Sequence, residues 1–212
     1  VIGLGSFGAT VATQLIELGH DVIGIDSEKK YVENISEQVT HAVIADATDE
    51  HVLDELNIKN CDAVVVAIGE NIEASILCVL HLKNIGVEKI WVKAKSKSHH
   101  MILSHLGISK IIHPEEDMGV RIAQSLCYPM VSRYMALEDN HYIVKIEIDE
   151  KLQGTRFHQL MDQAPDVKTL LHKRGKDVLY SIDPNLILQV GDILVVEGLV
   201  ETLRRLSARF KS

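Results

Sequence analysis

Apolar positions in the first half of the chain follow two alternating patterns. Short runs of Val, Ile and Ala with few polar breaks are typical of parallel strands buried on both faces. Besides the opening residues, such runs predict strands at residues 22–26, 42–45, 63–68, 89–93 and 110–113. Between them, apolar residues at helical spacing predict helices at residues 7–18, 28–36, 51–56, 71–84 and 98–106. This alternation predicts an α/β fold with a doubly wound parallel sheet of the Rossmann type.

The pattern changes after residue 113. A helix is predicted at residues 115–126, Pro129 breaks it, and a second helical segment at 130–137 leads to a polar linker at 138–140. Strand and helix signals then follow in the order βαβββα, at residues 142–148, 155–161, 167–172, 177–182, 193–197 and 199–210. We therefore predict a Rossmann-type domain at residues 1–125, a crossover helix and linker at 126–140, and a small α+β domain at 141–212.

A G-x-G-x-x-G motif at residues 3–8 joins the first predicted strand to the first helix. Gly3 permits a tight turn, Gly5 lets the backbone approach a pyrophosphate, and Gly8 lets the helix pack closely on the sheet. Free N–H groups at the start of that helix favour an anion. About twenty residues on, the next strand ends in Asp26, whose carboxylate is placed to accept hydrogen bonds from the hydroxyls of an adenosine ribose. Together these features predict a nucleotide-binding site.

Asp26 narrows the choice of nucleotide. A carboxylate that faces the ribose repels a 2′-phosphate, which disfavours NADP. NAD, ATP and ADP present the same adenosine and diphosphate, so the acid leaves all three open.

Composition and charge exclude several classes of protein. The net charge of −8 is concentrated in the first 137 residues, which hold 11 Lys/Arg and 18 Asp/Glu. Because nucleic-acid binding needs a basic face, we expect no nucleic-acid partner. No apolar run approaches the roughly 18–20 residues of a membrane-spanning helix. Three scattered cysteines, Cys61, Cys78 and Cys127, indicate reduced, buried thiols in a cytoplasmic protein rather than a disulfide framework or a zinc site.

Signals of catalysis are sparse in this sequence. A nicotinamide-dependent oxidoreductase needs an acid or base beside the reacting ring, and the second domain offers only His158 and His172, without recognisable partners. The Lys-Arg-Gly-Lys cluster at 173–176 is predicted to be a solvated hairpin turn. We therefore expect a protein that binds a nucleotide without transforming it, and a small oxidoreductase is an alternative.

Several short motifs accompany the glycine loop and Asp26. They are D-A-T-D at 46–49, A-I-G-E-N at 67–71 with E-A-S at 73–75, W-V-K-A at 91–94, and H-P-E at 113–115 with D-M-G at 117–119. With these motifs, nearly the whole first domain resembles the RCK (regulator of K⁺ conductance) family. Within it, the chain is most similar to regulatory subunits of Ktr potassium-uptake systems, relatives of the Trk regulators. The second domain resembles the RCK_C (TrkA_C) domain in element order and size.

The resemblance implies which residues hold the nucleotide. The glycine loop holds phosphates, Asp26 holds the ribose, the D-A-T segment lies by the adenine, and the residues after the next strand line the phosphate side. Lys93 and Lys95 follow a further strand at the mouth of the same crevice, where open parallel sheets bind ligands. The candidate nucleotide-binding residues are Gly3, Gly5, Ser6, Phe7, Gly8, Asp26, Ser27, Asp46, Ala47, Thr48, Ala67, Ile68, Gly69, Asn71, Lys93 and Lys95.

Two positions leave alternatives open. Ktr regulators often carry an arginine where this chain has Ser6, so discrimination of ATP from ADP is smaller here or rests on Lys93, Lys95 or another basic group. At Glu115, one interpretation is compensation of the dipole at a helix start, together with the neighbouring acids. The resemblance implies another, in which Glu115 binds Mg²⁺, Ca²⁺ or Na⁺ beside the phosphates at a subunit interface.

The resemblance also implies partners. It indicates dimers that assemble into a ring, an octamer in this family, docked peripherally on a membrane K⁺ channel or transporter at the cytoplasmic face. ATP and ADP open or close that channel. An NAD(H)-binding redox sensor of a Trk-type transporter is the first alternative function, ahead of the oxidoreductase.

Some conspicuous side chains have simpler expected roles. Trp91 lies in a predicted buried strand and is expected in the core. His99 and His100 open a helix and are expected in solvent, with metal binding as the alternative. The spacing of four further residues predicts an apolar helix face that packs on a partner subunit, with an ordinary core as the alternative: Tyr128, Met130, Tyr134 and Met135.

Overall fold

A computed structural model describes residues 1–108, 110–127, 131–137, 140–162 and 164–208 of the protein. The chain divides into two compact units, Val1–Asp117 and Met118–Ser212. The predicted first domain ends eight residues later, at residue 125. Pro129 with Tyr128 and Met130, most of the predicted linker at 138–140, and the last residues of the predicted final helix lie outside the described residues.

The first unit alternates helices and strands as predicted. Its elements are α1 (Ser6–Glu17), β1 (Ile23–Asp26), α2 (Lys29–Ile35), β2 (His41–Ile44), α3 (Glu50–Glu55), a 3-10 helix (Ile58–Asn60), β3 (Val64–Val66), α4 (Ile72–Asn84), β4 (Ile90–Lys93), α5 (Lys97–His105) and β5 (Lys110–Ile112). A further helix, α6 (Pro114–Cys127), begins at the end of this unit. Asp49, Asn71 and Ser96 accept hydrogen bonds from first-turn N–H groups of α3, α4 and α5. These side-chain caps favour the start of a helix at each point.

The parallel sheet has the strand order of a doubly wound fold. β1 pairs with β2, while β4 pairs with both β3 and β5. Ile2 forms parallel bridges to Ile25 and to Val66, so the opening residues take the place of the central strand. The strand order therefore reverses at these residues, and ligands of such sheets bind outside the carboxyl ends of the strands at this point. The predicted Rossmann-type fold is confirmed.

One face of β4 carries the core and the other does not. Val66 and Val92 are fully buried and belong to one apolar cluster with Val79 of α4 and Leu103 of α5. Trp91 points the opposite way and is 44% exposed, with the Nζ of Lys110 lying 5.2 Å from its ring centroid. The prediction that Trp91 belongs to the core is therefore wrong, because α4 and α5 both pack against the face that bears Val92.

The second unit is an antiparallel sheet with helices. Its elements are β6 (Val131–Ala136), β7 (His141–Glu147), α7 (Phe157–Met161), β8 (Lys168–Arg174), β9 (Asp177–Leu179), β10 (Ile193–Leu199) and α8 (Val200–Ala208). The strands lie in the order β6–β7–β10–β8–β9. Val144, Ile146, Leu194 and Val196 alternate with outward-facing residues and form the core with Leu203 of α8. From β7 onward, the predicted order βαβββα is confirmed, including the hairpin of β8 and β9.

Residues 131–136 form a strand, so the prediction of a second crossover helix at 130–137 is wrong. β6 pairs antiparallel with β7, and Tyr134 lies opposite Val144 and Met135 opposite Ile143. Arg, Met and Ala all have good helix propensity, yet the antiparallel pairing with β7 outweighs that weak local preference. Tyr134 and Met135 consequently belong to a sheet edge rather than to an apolar helix face.

A buried carboxylate ties the strands of the second unit together. Asp192 is 1% exposed and accepts hydrogen bonds from the Nε and one terminal nitrogen of Arg174, both at 2.7 Å. The N–H of Gln189 donates to it at 2.9 Å, and the Nε2 of buried His172 lies 3.1 Å away. Burial by itself raises the pKa of Asp192, but the hydrogen bonds from Arg174 and Gln189, together with the nearby imidazole of His172, outweigh it and lower the pKa. The expectation of a merely solvated turn is therefore wrong for Arg174.

Candidate functional site

An open crevice with a volume of about 1110 Å³ lies at the carboxyl ends of the strands of the first unit. It is large enough for a nucleotide, since small-molecule sites commonly have about 300–1,000 Å³. Every candidate nucleotide-binding residue from the sequence lines it except Gly8 and Lys95, and Glu115 lines it too. Residues that the sequence reasoning missed also line it: Ile2, Thr10, Ile25, Glu28, Lys30, Tyr31, Ala45, Glu70, Glu73, Ala74 and Leu77.

Some of the missed residues lie on helices and could have been recognised. Thr10 lies one turn after Ser6 on α1, and Lys30 and Tyr31 open the helix that follows Asp26. Because helices in this fold begin at the ligand edge of the sheet, their first turns face the crevice. Helical spacing from the motif residues would have identified these positions.

The three motif glycines have different structural reasons. Gly3 has a φ of +89°, and a Cβ there would lie 2.9 Å from the carbonyl carbon of Ala67. A Cβ on Gly8 would lie 1.8 Å from the carbonyl oxygen of Gly3, so this glycine lets α1 approach the sheet and does not line the crevice. A Cβ on Gly5 would meet none of the described atoms within 4 Å. Gly5 therefore leaves open space that a ligand can occupy.

The start of α1 is suited to an anion. Gly5 precedes the helix and has no side chain with which to cap it. The first N–H groups of a helix have no partner within the helix, and its dipole favours negative charge. Unlike α3, α4 and α5, which are capped by side chains, α1 therefore retains free N–H donors for phosphate at its start.

Asp26 stands at the end of β1 with both carboxylate oxygens oriented by the backbone. One oxygen accepts a hydrogen bond from the N–H of Leu4 at 2.6 Å, and the other accepts from the N–H of Glu28 at 2.8 Å. The first bond also connects the acid to the glycine loop. Each carboxylate oxygen has further lone pairs, so Asp26 can still accept hydrogen bonds from two ribose hydroxyls.

A second acidic turn follows β2. Asp46 accepts hydrogen bonds from the N–H of Thr48 at 2.9 Å and from its hydroxyl at 2.8 Å. These two bonds lower the pKa of Asp46 and fix the turn. Ala47 between them is buried. Small residues and a rigid turn at this edge leave room for a flat group such as a purine.

The other side of the crevice carries a lysine that already has a partner. The Nζ of Lys93, at the end of β4, lies 2.5 Å from a carboxylate oxygen of Glu115 in the first turn of α6. The hydrogen bond from Lys93 lowers the pKa of Glu115. Lys95 makes a separate ion pair with Glu70 at 3.2 Å. Among the described residues, no group of three or more His, Cys, Asp and Glu side chains is arranged to hold a metal ion.

Three histidines lie close to this edge of the sheet. His99 is 1% exposed, and its Nδ1 accepts a hydrogen bond from the N–H of Lys95 at 3.2 Å. Burial, and secondly the charge of His113, lower the pKa of His99. His100 and His113 are hydrogen-bonded, with 2.9 Å between Nδ1 and Nε2. The expectation that His99 is solvated is therefore wrong.

The thiols that the structure describes are structural. Cys78 lies on the buried face of α4, and burial raises its pKa to about 12, so it stays a neutral thiol. Cys61 is half-buried.

With this geometry established, comparison with known proteins identifies the family. Residues 1–114, more than half of the chain, match the family model of the TrkA-N domain. The chain belongs to the TrkA-N family. Its fold is accordingly the Rossmann-like nucleotide-binding fold of that domain. Among the described helices, none combines the length and apolar character needed to cross a membrane.

Relatives extend the likeness over the second unit. The Ktr system potassium uptake protein A of Bacillus subtilis (strain 168) is 41% identical over 206 residues, covering 97% of this chain and 93% of that protein. The Ktr system potassium uptake protein C of the same strain is 40% identical, with 99% and 95% covered. The protein A of Vibrio alginolyticus is 32% identical, with 93% and 90% covered. The resemblance to Ktr subunits noted from the motifs is confirmed.

Solved structures show the same fold at low identity. The RCK domain of GsuK aligns with 98% of this chain and 46% of that chain, with a TM-score of 0.64 and 14% identity. In the GsuK channel bound to NAD, the alignment covers 97% of this chain and 38% of that chain, with a TM-score of 0.59 and 14% identity. This chain spans less than half of either protein, and at this identity the likeness shows the fold alone.

Proposed function

We propose that the protein is a regulatory subunit that senses ATP and ADP and thereby gates potassium uptake by a membrane K⁺ channel or transporter. The observation that carries the proposal is the crevice. Its glycine loop, uncapped helix start and oriented Asp26 suit the phosphates and ribose of an adenine nucleotide. The relatives named for potassium uptake support the physiological role.

The nucleotide chemistry favours ATP and ADP over dinucleotides. Asp26 disfavours a ribose 2′-phosphate, and the crevice presents Lys93 and the start of α1 to a phosphate chain. NAD is the second candidate, because a channel with this fold has been solved with NAD bound. In that case the protein is a redox sensor, and its gating follows the NAD(H) ratio.

The crevice is lined for binding rather than for catalysis. Among the described residues that line it, there is no histidine and no cysteine. His172, one of the two titratable candidates of the second unit, is buried against Asp192. We propose that the protein is not an enzyme, and that its effect depends on different affinities for the nucleotide in two conformations.

A cation belongs to the proposed ATP state. Glu115 is exposed at the crevice edge and presents carboxylate oxygens, which suit Mg²⁺, Ca²⁺ or Na⁺. In the part of the chain that the structure describes, it does not belong to a group of three or more His, Cys, Asp and Glu side chains that could hold a metal ion. The remaining ligands of such a cation would be phosphate oxygens, water and a residue of a second copy of this chain.

We propose that α6 mediates self-association into dimers, and that the dimers assemble into an octameric ring. The ring docks on the cytoplasmic side of the membrane subunit. In α6, Met118, Val120, Ile122 and Leu126 are all at least half-exposed, with Leu126 76% exposed. Apolar side chains concentrated on one exposed helix mark an interaction surface. Light scattering at several concentrations tests this, and a concentration-independent monomer with and without nucleotide contradicts it.

Calorimetry measures the affinities for ADP, ATP and NAD of the wild type and of Asp26→Ala. Asp62→Ala is the control, because it makes the same change of charge outside the crevice. Asp26→Ala removes up to two hydrogen bonds to a charged acceptor, each worth about 1.5–3 kcal/mol, so we expect at least a tenfold loss of ADP affinity. Unchanged affinity would remove Asp26 from the site. Tighter binding of NAD than of ADP or ATP would favour the redox sensor.

Potassium flux tests the role. The protein is added to its membrane subunit in liposomes with ATP, with ADP or without nucleotide. We expect flux to differ between ATP and ADP, and Asp26→Ala to abolish the difference. Equal flux in all conditions contradicts the gating role.

A further inference from the structure

The ion pair of Lys93 and Glu115 occupies the phosphate side of the crevice. Their charged atoms are 2.5 Å apart, and both residues line the cavity. The side chain of Lys93 is only 14% exposed, whereas that of Glu115 is 71% exposed. The lysine is therefore the fixed member of the pair and the carboxylate is the member that can leave.

Lys93 lies where a phosphate chain would pass. Its Nζ is 5.8 Å from the ring centroid of Phe7, which is in the uncapped first turn of α1. A Cβ on Gly69 would lie 3.2 Å from the same Nζ. Of the two lysines that line the crevice in the described structure, Lys30 instead lies over the ring of Tyr31, 4.6 Å from its centroid. Lys93 is thus the cation beside the anion-binding helix start.

We propose that Glu115 determines specificity for the number of phosphates in the nucleotide. Its carboxylate occupies the place beside Lys93 that the end of a phosphate chain would take. This inference rests on the proposed binding of adenine nucleotides. A short phosphate chain leaves the ion pair in place. Each added phosphate brings negative charge toward Glu115 and competes with it for Lys93.

The competition predicts the direction and the size of the change in nucleotide affinity when the carboxylate is removed. Because the carboxylate is largely exposed, its attraction to Lys93 is that of a surface ion pair, and its removal changes affinity by about two- to fivefold. Its removal favours longer phosphate chains, since Lys93 is then free to pair with phosphate. Glu115 also belongs to the first turn of α6, so a phosphate that displaces it acts directly on the start of that helix.

The test is a series of ligands that differ only in phosphate number. Affinities for AMP, ADP and ATP are measured by calorimetry in EDTA, for the full chain and for Glu115→Gln. Glu116→Gln is the matched control, because it removes the same charge from the same helix turn. Lys93→Gln and the double variant with Glu115→Gln show whether the effect passes through Lys93. The fluorescence of Trp91, the single tryptophan of the chain, verifies that each variant is folded.

We expect Glu115→Gln to leave AMP affinity unchanged and to raise ATP affinity about two- to fivefold, with ADP between them. Glu116→Gln should leave all three affinities near the wild type. In the Lys93→Gln background, the effect of Glu115→Gln should disappear. An unchanged series, an equal effect on all three nucleotides, or an effect that persists without Lys93 overturns the inference.

Magnesium separates this role from cation binding. In EDTA, Glu115→Gln strengthens ATP binding if the carboxylate competes with phosphate. If Glu115 also binds a cation beside the phosphates, the same variant weakens the gain in ATP affinity that Mg²⁺ produces. Nucleotide binding that depends on Asp26 but ignores Glu115 in EDTA overturns the inference and leaves the proposed function standing. Absence of any adenine-nucleotide binding overturns both.

Discussion

Asp26 and Asp192 are both oriented by backbone N–H groups, yet they serve opposite purposes. Asp26 accepts one backbone hydrogen bond on each oxygen and faces an open crevice. Asp192 is buried, and its hydrogen-bonding capacity is used by Arg174, by Gln189 and by nearby His172. A carboxylate with accessible lone pairs is available to a ligand, whereas a saturated buried one holds strands together. The residue type alone does not distinguish these two cases.

The largest expected effect is a loss of folding stability when Asp192, the buried one of these two aspartates, is replaced. Asp192→Ala leaves Arg174 and buried His172 without their shared partner, and breaking a buried ion pair costs about 3–5 kcal/mol. Since Arg174 is partly exposed, we expect the lower end, about 3 kcal/mol. Hydrogen exchange of β8 and β10 should accelerate, while nucleotide affinity stays unchanged. The control is Asp177→Ala, at an exposed aspartate in the β8–β9 hairpin that also carries Arg174.

A loss of stability under about 1 kcal/mol for Asp192→Ala, or an equal loss for Asp177→Ala, would contradict the structural assignment. A loss of nucleotide affinity would place Asp192 with Asp26 rather than in contrast to it.

The glycine loop offers a similar contrast within the crevice itself. In Gly8→Ala, the added Cβ would meet the carbonyl oxygen of Gly3 at 1.8 Å, and we expect a destabilisation of about 1–3 kcal/mol from overpacking. In Gly5→Ala, the added Cβ enters open space, so stability should change by less than about 0.5 kcal/mol while ADP affinity falls. Denaturant unfolding monitored by Trp91 fluorescence, with calorimetry, measures both. Equal losses of stability in the two variants would contradict the distinction.

The smallest effects are those of pH, and they separate the two units. Burial lowers the pKa of His99 below its ordinary value of 6.5. Its neutral form is therefore favoured by folding. The stabilisation is complete above about pH 6.5 and declines as the pH falls from there through the lowered pKa. The pKa of Asp192 is also lowered by folding, from an ordinary value of 3.8. The stability that Asp192 contributes to the second unit is therefore lost only as the pH falls below about 3.8.

Unfolding followed between pH 7.5 and 3 tests this separation. Trp91 fluorescence should report weakening of the first unit below about pH 6.5, and His99→Gln should reduce that slope. The protection of β8 and β10 against hydrogen exchange, relative to the intrinsic exchange rate at each pH, should stay constant until the pH approaches about 4. A second unit that weakens first on acidification contradicts the assignment.

The elements with strong local signals were predicted correctly. Continuous apolar runs and apolar residues at helical spacing marked the parallel strands and helices of the first unit to within two residues at most ends. The glycine motif and Asp26 lie together because the strand ends of a parallel sheet share one edge. The error at 131–136 has the opposite cause. Its helix-forming residues make a strand because β7 supplies the hydrogen-bond partners.

By itself, the sequence determined the Rossmann-type architecture, the place of the crevice and most of its lining, because strand order and motif spacing fix which strand ends meet. Tertiary structure alone decided the partners of the charged and aromatic side chains. It left Trp91 exposed on the face opposite α4, paired Lys95 with Glu70, and brought Glu115 to Lys93 from 22 residues away. Such pairings depend on the positions of atoms that are distant in the chain, and helical or strand periodicity does not encode them.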